Sequence, residues 1–197
     1  MKVLGLTGGI GMGKSASAGL LRARNVPVVD TDDLARQVVE PGQPGLAKVR
    51  EIFGAEVLDA AGCLRRDELA RRVFNNADAR RKLEGILHPP IRALWKAQIE
   101  QWRKEGRPLA VVVIPLLYET HAEGELDAIV CVACSAATQR QRLQPRGWSP
   151  VEIDRRIEAQ LPADAKVARA DFVIWTEGGM AIHEEQMARI VLAMAPT

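Results

Sequence analysis

The run Gly8-Gly9-Ile10-Gly11-Met12-Gly13-Lys14-Ser15 fits the spacing G-x-x-x-x-G-K-[ST]. These residue types at this spacing hold phosphate. Glycines accept positive φ and let the backbone approach a ligand closely, so successive N–H groups can turn inward as a nest for an anion. A helix starting at the loop adds its positive end. Lys14 can then bridge the β- and γ-phosphates of a nucleoside triphosphate, and the Ser15 hydroxyl can ligate Mg2+. The loop follows an apolar run at residues 3–7 and opens a helical pattern at 14–23, which is the context the motif requires.

A second group with chemical potential is Asp30-Thr31-Asp32-Asp33, directly after the apolar run 26–29. In a parallel sheet, ligands sit beyond the carboxyl ends of the strands, so these acids are expected to face the terminal phosphate. Two carboxylates one residue apart can divide the labour, one orienting Mg2+ and its waters and the other accepting a proton from an attacking hydroxyl. Asp33 is read as the N-cap of a helix from Leu34 onward, and Asp32 is read as chemical. A third group is the arginine-rich stretch 138–169, with Arg140, Arg142, Arg146, Arg155, Arg156 and Lys166. Gly147 and Pro150 are expected to divide it into two helices, a lid that closes over nucleotide and excludes water. The guanine-reading N-K-x-D is absent and the chain is short for a motor, so the residues point to an ATP-dependent small-molecule kinase.

The elements that must position these groups follow from hydrophobic periodicity. Apolar, β-branched runs at 3–7, 26–29, 109–114, 128–132 and 172–175 read as buried parallel strands, with helical patterns between them. The expected fold class is α/β, a P-loop doubly wound parallel five-stranded sheet. Residues 34–107 are too long for one crossover and read as a helical insertion beside the nucleotide core. Residues 1–33 and 108–197 read as the nucleotide core, with the lid at about 138–166. Within the insertion, Pro41, Gly42, Pro44 and Gly45 mark a loop. Leu83, Ile86 and Leu87 form one helical face, and Ile91, Leu94, Trp95, Ile99 and Trp102 form another after a break at Pro89-Pro90. A last helix is expected over 180–194, and the tryptophans and methionines are read as core.

The totals agree with such an enzyme. The chain has 197 residues, 47% hydrophobic and 26% charged, and a net charge of +2, with basic and acidic residues interspersed rather than blocked. An anionic small molecule suits that balance, and nucleic acid is not expected. No run approaches the roughly 18 apolar residues needed to span a bilayer, and the apolar strand so close to Met1 is unlike a signal peptide. A cytoplasmic location is expected. Cys63, Cys131 and Cys134 are an odd number, and Cys131 and Cys134 point to opposite faces of a strand, so they are read as core thiols rather than a zinc or disulfide pair.

Several motifs converge on one family. The chain resembles dephospho-CoA kinases from Leu6 to about Gly178, through L-T-G-G-I-G-M-G-K-S at 6–15 and D-T-D at 30–32. Leu83-Glu84 followed by His88-Pro89, the signature I-P-L-L-Y-E at 114–119, and Arg142-Leu143, Arg146, Arg156-Ile157, Gln160, Lys166 and Ala170-Asp171 continue the match. The resemblance implies a P-loop core, a helical CoA-binding domain and a lid. It also implies transfer of the ATP γ-phosphate to the ribose 3′-hydroxyl of 3′-dephospho-CoA, the last step of coenzyme A synthesis. It makes Asp32 the base, with Lys14 and Arg142 as the other catalytic groups, and Asp30 and Ser15 lie on the metal side. Gly9, Gly11, Met12, Gly13, Lys14, Ser15, Ala16, Arg140, Arg142 and Thr176 are the implied nucleotide contacts. Asp32, Arg66, His88 and Pro115, Leu116, Leu117, Tyr118 and Glu119 are the implied acceptor contacts. ATP and Mg2+ are the implied cofactors, and a monomer or weak homo-oligomer is expected. Ala16 replaces the family's usual Thr, removing a hydroxyl near the α-phosphate. Arg65 stands where an Asp often precedes Arg66, and an acid is missing after Arg146. Thr176 replaces an Asn that helps seat adenine, so adenine selectivity is expected to rest on backbone groups at 176–178.

Overall fold

The computed structural model describes residues 1–74 and 76–194. The chain divides into two compact units, one of residues 1–30 with 99–197 and the other of residues 31–98.

The first unit is built on five parallel strands, β1 (Lys2–Gly8), β2 (Val28–Asp30), β3 (Leu109–Val113), β4 (Ala128–Ala133) and β5 (Phe172–Trp175), in the order β2-β3-β1-β4-β5. β1 is central because its residues can be buried on both faces. Leu4 sits between Val111 of β3 and Ala128 of β4, and Leu6 between Val113 and Val130. Every residue of β3 and β4 is buried, as parallel strands covered on both faces must be. Gly5 is closely packed, since a Cβ there would come within 2.5 Å of Leu126 and 2.9 Å of Leu117. Helix α1 (Lys14–Ala23) follows β1, and Leu21 and Ala18 join Leu4, Leu6, Val111, Val130 and Ile174 in the core.

The second unit has its own apolar core. Helices α2 (Thr31–Val38), α3 (Pro44–Phe53), α4 (Arg66–Phe74) and α5 (Ala77–Lys104) follow one another, and α5 runs on past residue 98. Val38, Val49, Val57, Leu69 and Ile86 form the centre, with Leu83, Leu87, Ile91 and Leu94 packed against it. Two sequence expectations are corrected here. Pro44 does not extend a loop but opens α3, since its missing N–H is one that a first helical turn leaves unpaired anyway. The prolines at 89 and 90 do not divide a helix pair, because α5 is continuous through both. They remove the N–H partners of the carbonyls at 85 and 86. Apolar residues on both sides, Ile86 and Leu87 before and Ile91 and Leu94 after, belong to the same core, and that burial outweighs the two lost hydrogen bonds.

The remaining helices of the first unit are α6 (Ala136–Leu143), α7 (Pro150–Glu158), α8 (Ala163–Arg169) and α9 (Met180–Met194). The arginine-rich stretch therefore holds three helices rather than two. Gly147 (φ +75°) ends the turn after α6, and Ser149 caps α7 by accepting from the Glu152 N–H. The break between α7 and α8 lies near Pro162, which no helical pattern in the polar sequence marked. Trp95 is buried as read, but Trp175 and Met180 are 46% and 55% exposed, and Trp148 lies between the guanidinium groups of Arg146 and Arg156. Cys131 and Cys134 are buried free thiols, and burial pushes Cys131 up to about 11. Among the described residues no helix is long and apolar enough to cross a membrane.

α9 returns to α1 through one buried polar contact. Ser17, completely buried, lies 2.8 Å from His183 Nε2, and its hydroxyl also donates to the Gly13 carbonyl. Burial, with the positive charge of Arg142 second, holds His183 below the ordinary histidine value of 6.5. The folded protein therefore prefers the neutral ring, while the unfolded chain takes up the proton first as pH falls. This contribution is fully present above about pH 6.5 and is lost progressively below it. Urea unfolding at pH 7.5 and 5.5 is expected to show a smaller loss on acidification for His183→Gln than for the unaltered protein.

Candidate functional site

The glycine-rich loop lies at the carboxyl end of the central strand, where neighbouring crossovers run to opposite sides and α/β proteins bind ligands. Gly8, Gly11 and Gly13 all have positive φ (+144°, +76° and +106°), and Gly13 is the N-cap of α1. Freedom of φ is only half of their role. A Cβ on Gly8 would meet the Val132 carbonyl at 2.2 Å, and one on Gly11 would meet Leu143 at 2.9 Å. The loop is thus pressed against β4 and α6 with no room for side chains. Met12 points inward, 2% exposed, and packs with Ala133 and Cys134.

Lys14, the first residue of α1, donates to the carbonyls of Gly8 (2.8 Å) and Gly9 (2.9 Å). An anionic phosphate would outbid these two neutral carbonyls electrostatically. Ser15 is exposed in the first turn of α1, and Ala16 beside it is half-buried. Asp30 ends β2 and is half-buried. Among the described residues no three His, Cys, Asp or Glu side chains are grouped to hold a metal. Ser15 and Asp30 would offer two oxygens, the number of protein ligands a Mg2+ takes when it keeps several waters beside substrate phosphates.

Thr176 differs most from expectation. Its side chain is 6% exposed, and its hydroxyl lies 3.0 Å from the Met12 carbonyl and 3.2 Å from the Ala133 carbonyl while accepting from Arg142 Nη1 at 2.8 Å. Arg142 Nη2 donates to the Thr176 carbonyl at 2.7 Å. The side chain assigned to a nucleotide base is therefore turned into the protein, where it ties the phosphate loop to β4 and fixes Arg142. A hydroxyl, both donor and acceptor on one atom, can make this junction.

The arginines of the polar stretch are engaged with partners of their own. Arg140 pairs with Asp154 (2.9 Å), both about half-exposed, and Arg156 pairs with Glu152 (2.7 Å). Exposed pairs of this kind contribute about 0–1 kcal/mol, so phosphate can displace them at little cost. Glu177 accepts from the Ser135 N–H beside the start of α6, and hydrogen bonding from the Ser135 and Thr138 side chains, with this N–H after them, holds its carboxyl down at about 2.

The I-P-L-L-Y-E signature forms a turn after β3, and most of its side chains face inward. Leu117 is completely buried, and Tyr118 is 3% exposed beneath the Arg169 guanidinium, 4.2 Å from its ring centre. Burial pushes the Tyr118 hydroxyl up to about 12. Glu119 Oε1 accepts from Lys166 Nζ and from the Leu161 N–H, both at 2.8 Å. Lys166, fully buried, also donates to the Pro115 carbonyl at 2.8 Å. Only Pro115 and Leu116 retain partly open side chains without such inward engagement.

The other candidates belong to the second unit. Asp32 and Asp33 fall in the first turn of α2, which starts at Thr31. Asp33 is therefore inside the helix rather than its cap, and it pairs with Arg36 one turn on (2.7 Å). Asp32 is exposed, Arg66 is the exposed first residue of α4, and His88 is half-buried in α5 immediately before the two prolines. Sequence reasoning missed Gln139 and gave no role to Gln160, although both touch the phosphate loop. Nothing in the local pattern of α6 distinguishes Gln139 from a surface glutamine, so only tertiary packing could reveal it.

The profile of the family described as dephospho-CoA kinase (CoaE) matches residues 2–181. The dephospho-CoA kinase of Anaeromyxobacter dehalogenans is 51% identical over 179 residues, covering 90% of this chain and 85% of the relative. A crystal structure from Thermus thermophilus superposes with a TM-score of 0.85 at 33% identity, covering 100% of this chain and 98% of its own. The dephospho-CoA kinase structure from Campylobacter jejuni, at 23% identity, shares the fold with a TM-score of 0.73 over 98% of this chain and 96% of its own.

The Thr176 junction makes a direct prediction. Thr176→Val keeps shape but takes the hydroxyl from the Met12 carbonyl and from Arg142 Nη1, while the Ala133 carbonyl keeps the Thr176 N–H and Arg142 Nη2 keeps the Thr176 carbonyl, at about 1–3 kcal/mol. Urea unfolding is expected to show that loss, and Thr176→Ser is expected to recover most of it.

Proposed function

The chain belongs to the dephospho-CoA kinase family, and from that premise we propose how its residues divide the transfer of the ATP γ-phosphoryl group to the ribose 3′-hydroxyl of 3′-dephospho-CoA. The observation that carries the reading is the loop at the end of central β1, with Lys14 seated on it and the start of α1 behind it.

Phosphoryl transfer passes through a loose transition state, so positioning and charge neutralisation outweigh bond-making by the protein. The N–H groups of Gly11, Met12, Gly13, Lys14, Ser15 and Ala16 take the phosphate oxygens, with Gly9 giving the clearance this approach needs. Lys14 turns from the Gly8 and Gly9 carbonyls to the β- and γ-phosphates. Ser15 and Asp30 would hold Mg2+, which would supply charge neutralisation to the phosphates. Arg142 and Arg140 meet the transferring group from the lid, Arg140 giving up its exposed pair with Asp154. The adenine is read by backbone groups at 176–178, because the Thr176 hydroxyl is engaged internally.

Asp32 accepts the proton of the attacking 3′-hydroxyl. Arg66 and His88 in the helical unit, and the turn Pro115-Leu116 after β3, take the acceptor. Leu117, Tyr118 and Glu119 act behind that turn by fixing its backbone. We place the enzyme in the cytoplasm, working on small molecules and not on nucleic acid, as a monomer or weak homo-oligomer.

Two variants test the division of roles. Lys14→Ala is expected to nearly abolish transfer while leaving the thermal transition unchanged, and normal turnover by the folded variant would overturn the phosphate-loop assignment. Asp32→Asn keeps size but cannot take a proton, so kcat is expected to fall by about 10²-fold or more with little change in KM for dephospho-CoA. A crippled Asp30→Asn beside a nearly normal Asp32→Asn would reverse the two carboxylates.

A further inference from the structure

Ile10 lies at the outer bend of the phosphate loop, and its peptide groups are held from both sides by side-chain amides. Its N–H donates to Gln160 Oε1 at 2.9 Å, and its carbonyl accepts from Gln139 Nε2 at 2.8 Å. Gln139 is 4% exposed on α6, and Gln160 lies just past the end of α7. The glycines on either side of Ile10 make this grip possible. A Cβ on Gly9 would come within 3.2 Å of Gln139 Nε2, and one on Gly11 within 3.3 Å of the Gln139 carbonyl.

The segment that carries Gln160 is itself pinned. The next residue, Leu161, donates its N–H to Glu119, which also receives Lys166, and Lys166 reaches the Pro115 carbonyl. Residues 160–166 therefore strap the phosphate loop to the turn after β3, through contacts to Ile10 at one end and to Pro115 and Glu119 at the other. Half-buried Glu119 holds that strap in place: one carboxylate oxygen receives a backbone N–H and a fully buried ammonium.

We propose that Gln139 and Gln160 are positioning residues for phosphoryl transfer, which clamp the Ile10 peptide and so hold the downstream loop N–H groups aimed at the β- and γ-phosphates. A nest that is already ordered needs no rearrangement when charge develops, and that preorganisation is where electrostatic stabilisation gains its strength. The peptide unit Ile10 would otherwise be free to turn, because glycine on both sides imposes no preference of its own. The proposal rests on the loop binding ATP, and it adds the claim that the loop is set from the lid side.

The two amides act with opposite polarity, and that supplies the test. Gln160 is needed as an acceptor and Gln139 as a donor. Gln139→Met and Gln160→Met are each expected to lower kcat/KM for ATP by about 3- to 10-fold, the loss of one hydrogen bond, with KM for dephospho-CoA unchanged. Gln160→Glu keeps an acceptor and is expected to outperform Gln160→Met. Gln139→Glu places a carboxylate against the Ile10 carbonyl and is expected to be worse than Gln139→Met. A space-filling role would leave both Glu variants mild, and a general charge effect would make both worse than Met. Either of those patterns, or Met variants with unaltered ATP kinetics, overturns the proposal. Gln160 is half-exposed, so its variants decide the matter even if those at Gln139 do not fold. Failure here beside an inactive Lys14→Ala would remove the clamp and leave the phosphate loop assignment standing.

Discussion

A loop that binds phosphate through its backbone must satisfy two opposed demands. Its N–H groups have to point at the ligand rather than into hydrogen bonds of the chain, yet a segment rich in glycine has little stiffness to hold them there. Here the stiffness comes from outside the loop. Val132 and Leu143 leave no room for a Cβ at Gly8 or Gly11, the Thr176 hydroxyl donates to the Met12 carbonyl, and Gln160 receives the Ile10 N–H. The central strand delivers the loop, and β4 with the helices after it fixes its shape.

The same economy explains why so many polar groups of the first unit are buried. Thr176, Lys166, Gln139, Ser17 and His183 are nearly or wholly inaccessible. A buried polar group without a partner is costly, so each of these needs defined geometry to be tolerated. Each also has a partner in the loop, in the turn after β3 or in α1. Lys166 is the extreme case: a fully buried ammonium is stable only because Glu119 and the Pro115 carbonyl both receive it. Replacing this pair with apolar residues could preserve stability, but it would lose the directional hold on residues 160–166.

The lid arginines show the contrasting arrangement. Arg140 of α6 makes an exposed ion pair with Asp154 of α7, Arg156 pairs with Glu152 within α7, and the Trp148 ring meets Arg146 and Arg156. Weak, solvent-screened pairs can be exchanged for phosphate with little free-energy change. Arg142 differs from both, since its two terminal nitrogens are fixed on the Thr176 hydroxyl and carbonyl.

Local chemistry was legible in the sequence. Hydrophobic runs located all five strands, and the glycine spacing with Lys14 and Ser15 located the loop and the exact span of α1. Those features depend on residues close in sequence, where backbone freedom, strand burial and helix initiation leave a periodic trace. The prolines at 89 and 90 misled because the apolar packing that carries α5 through them is not a local property. Asp33 misled as a cap because α2 begins as soon as β2 ends. Sequence by itself thus determined the phosphate chemistry, the family motifs and the order of elements. Only the tertiary structure decided that Thr176 turns inward, that Glu119 anchors Lys166, and that two glutamines more than a hundred residues downstream grip Ile10. Those pairings join segments that no period connects, and a glutamine looks the same in sequence whether its amide meets water or a loop.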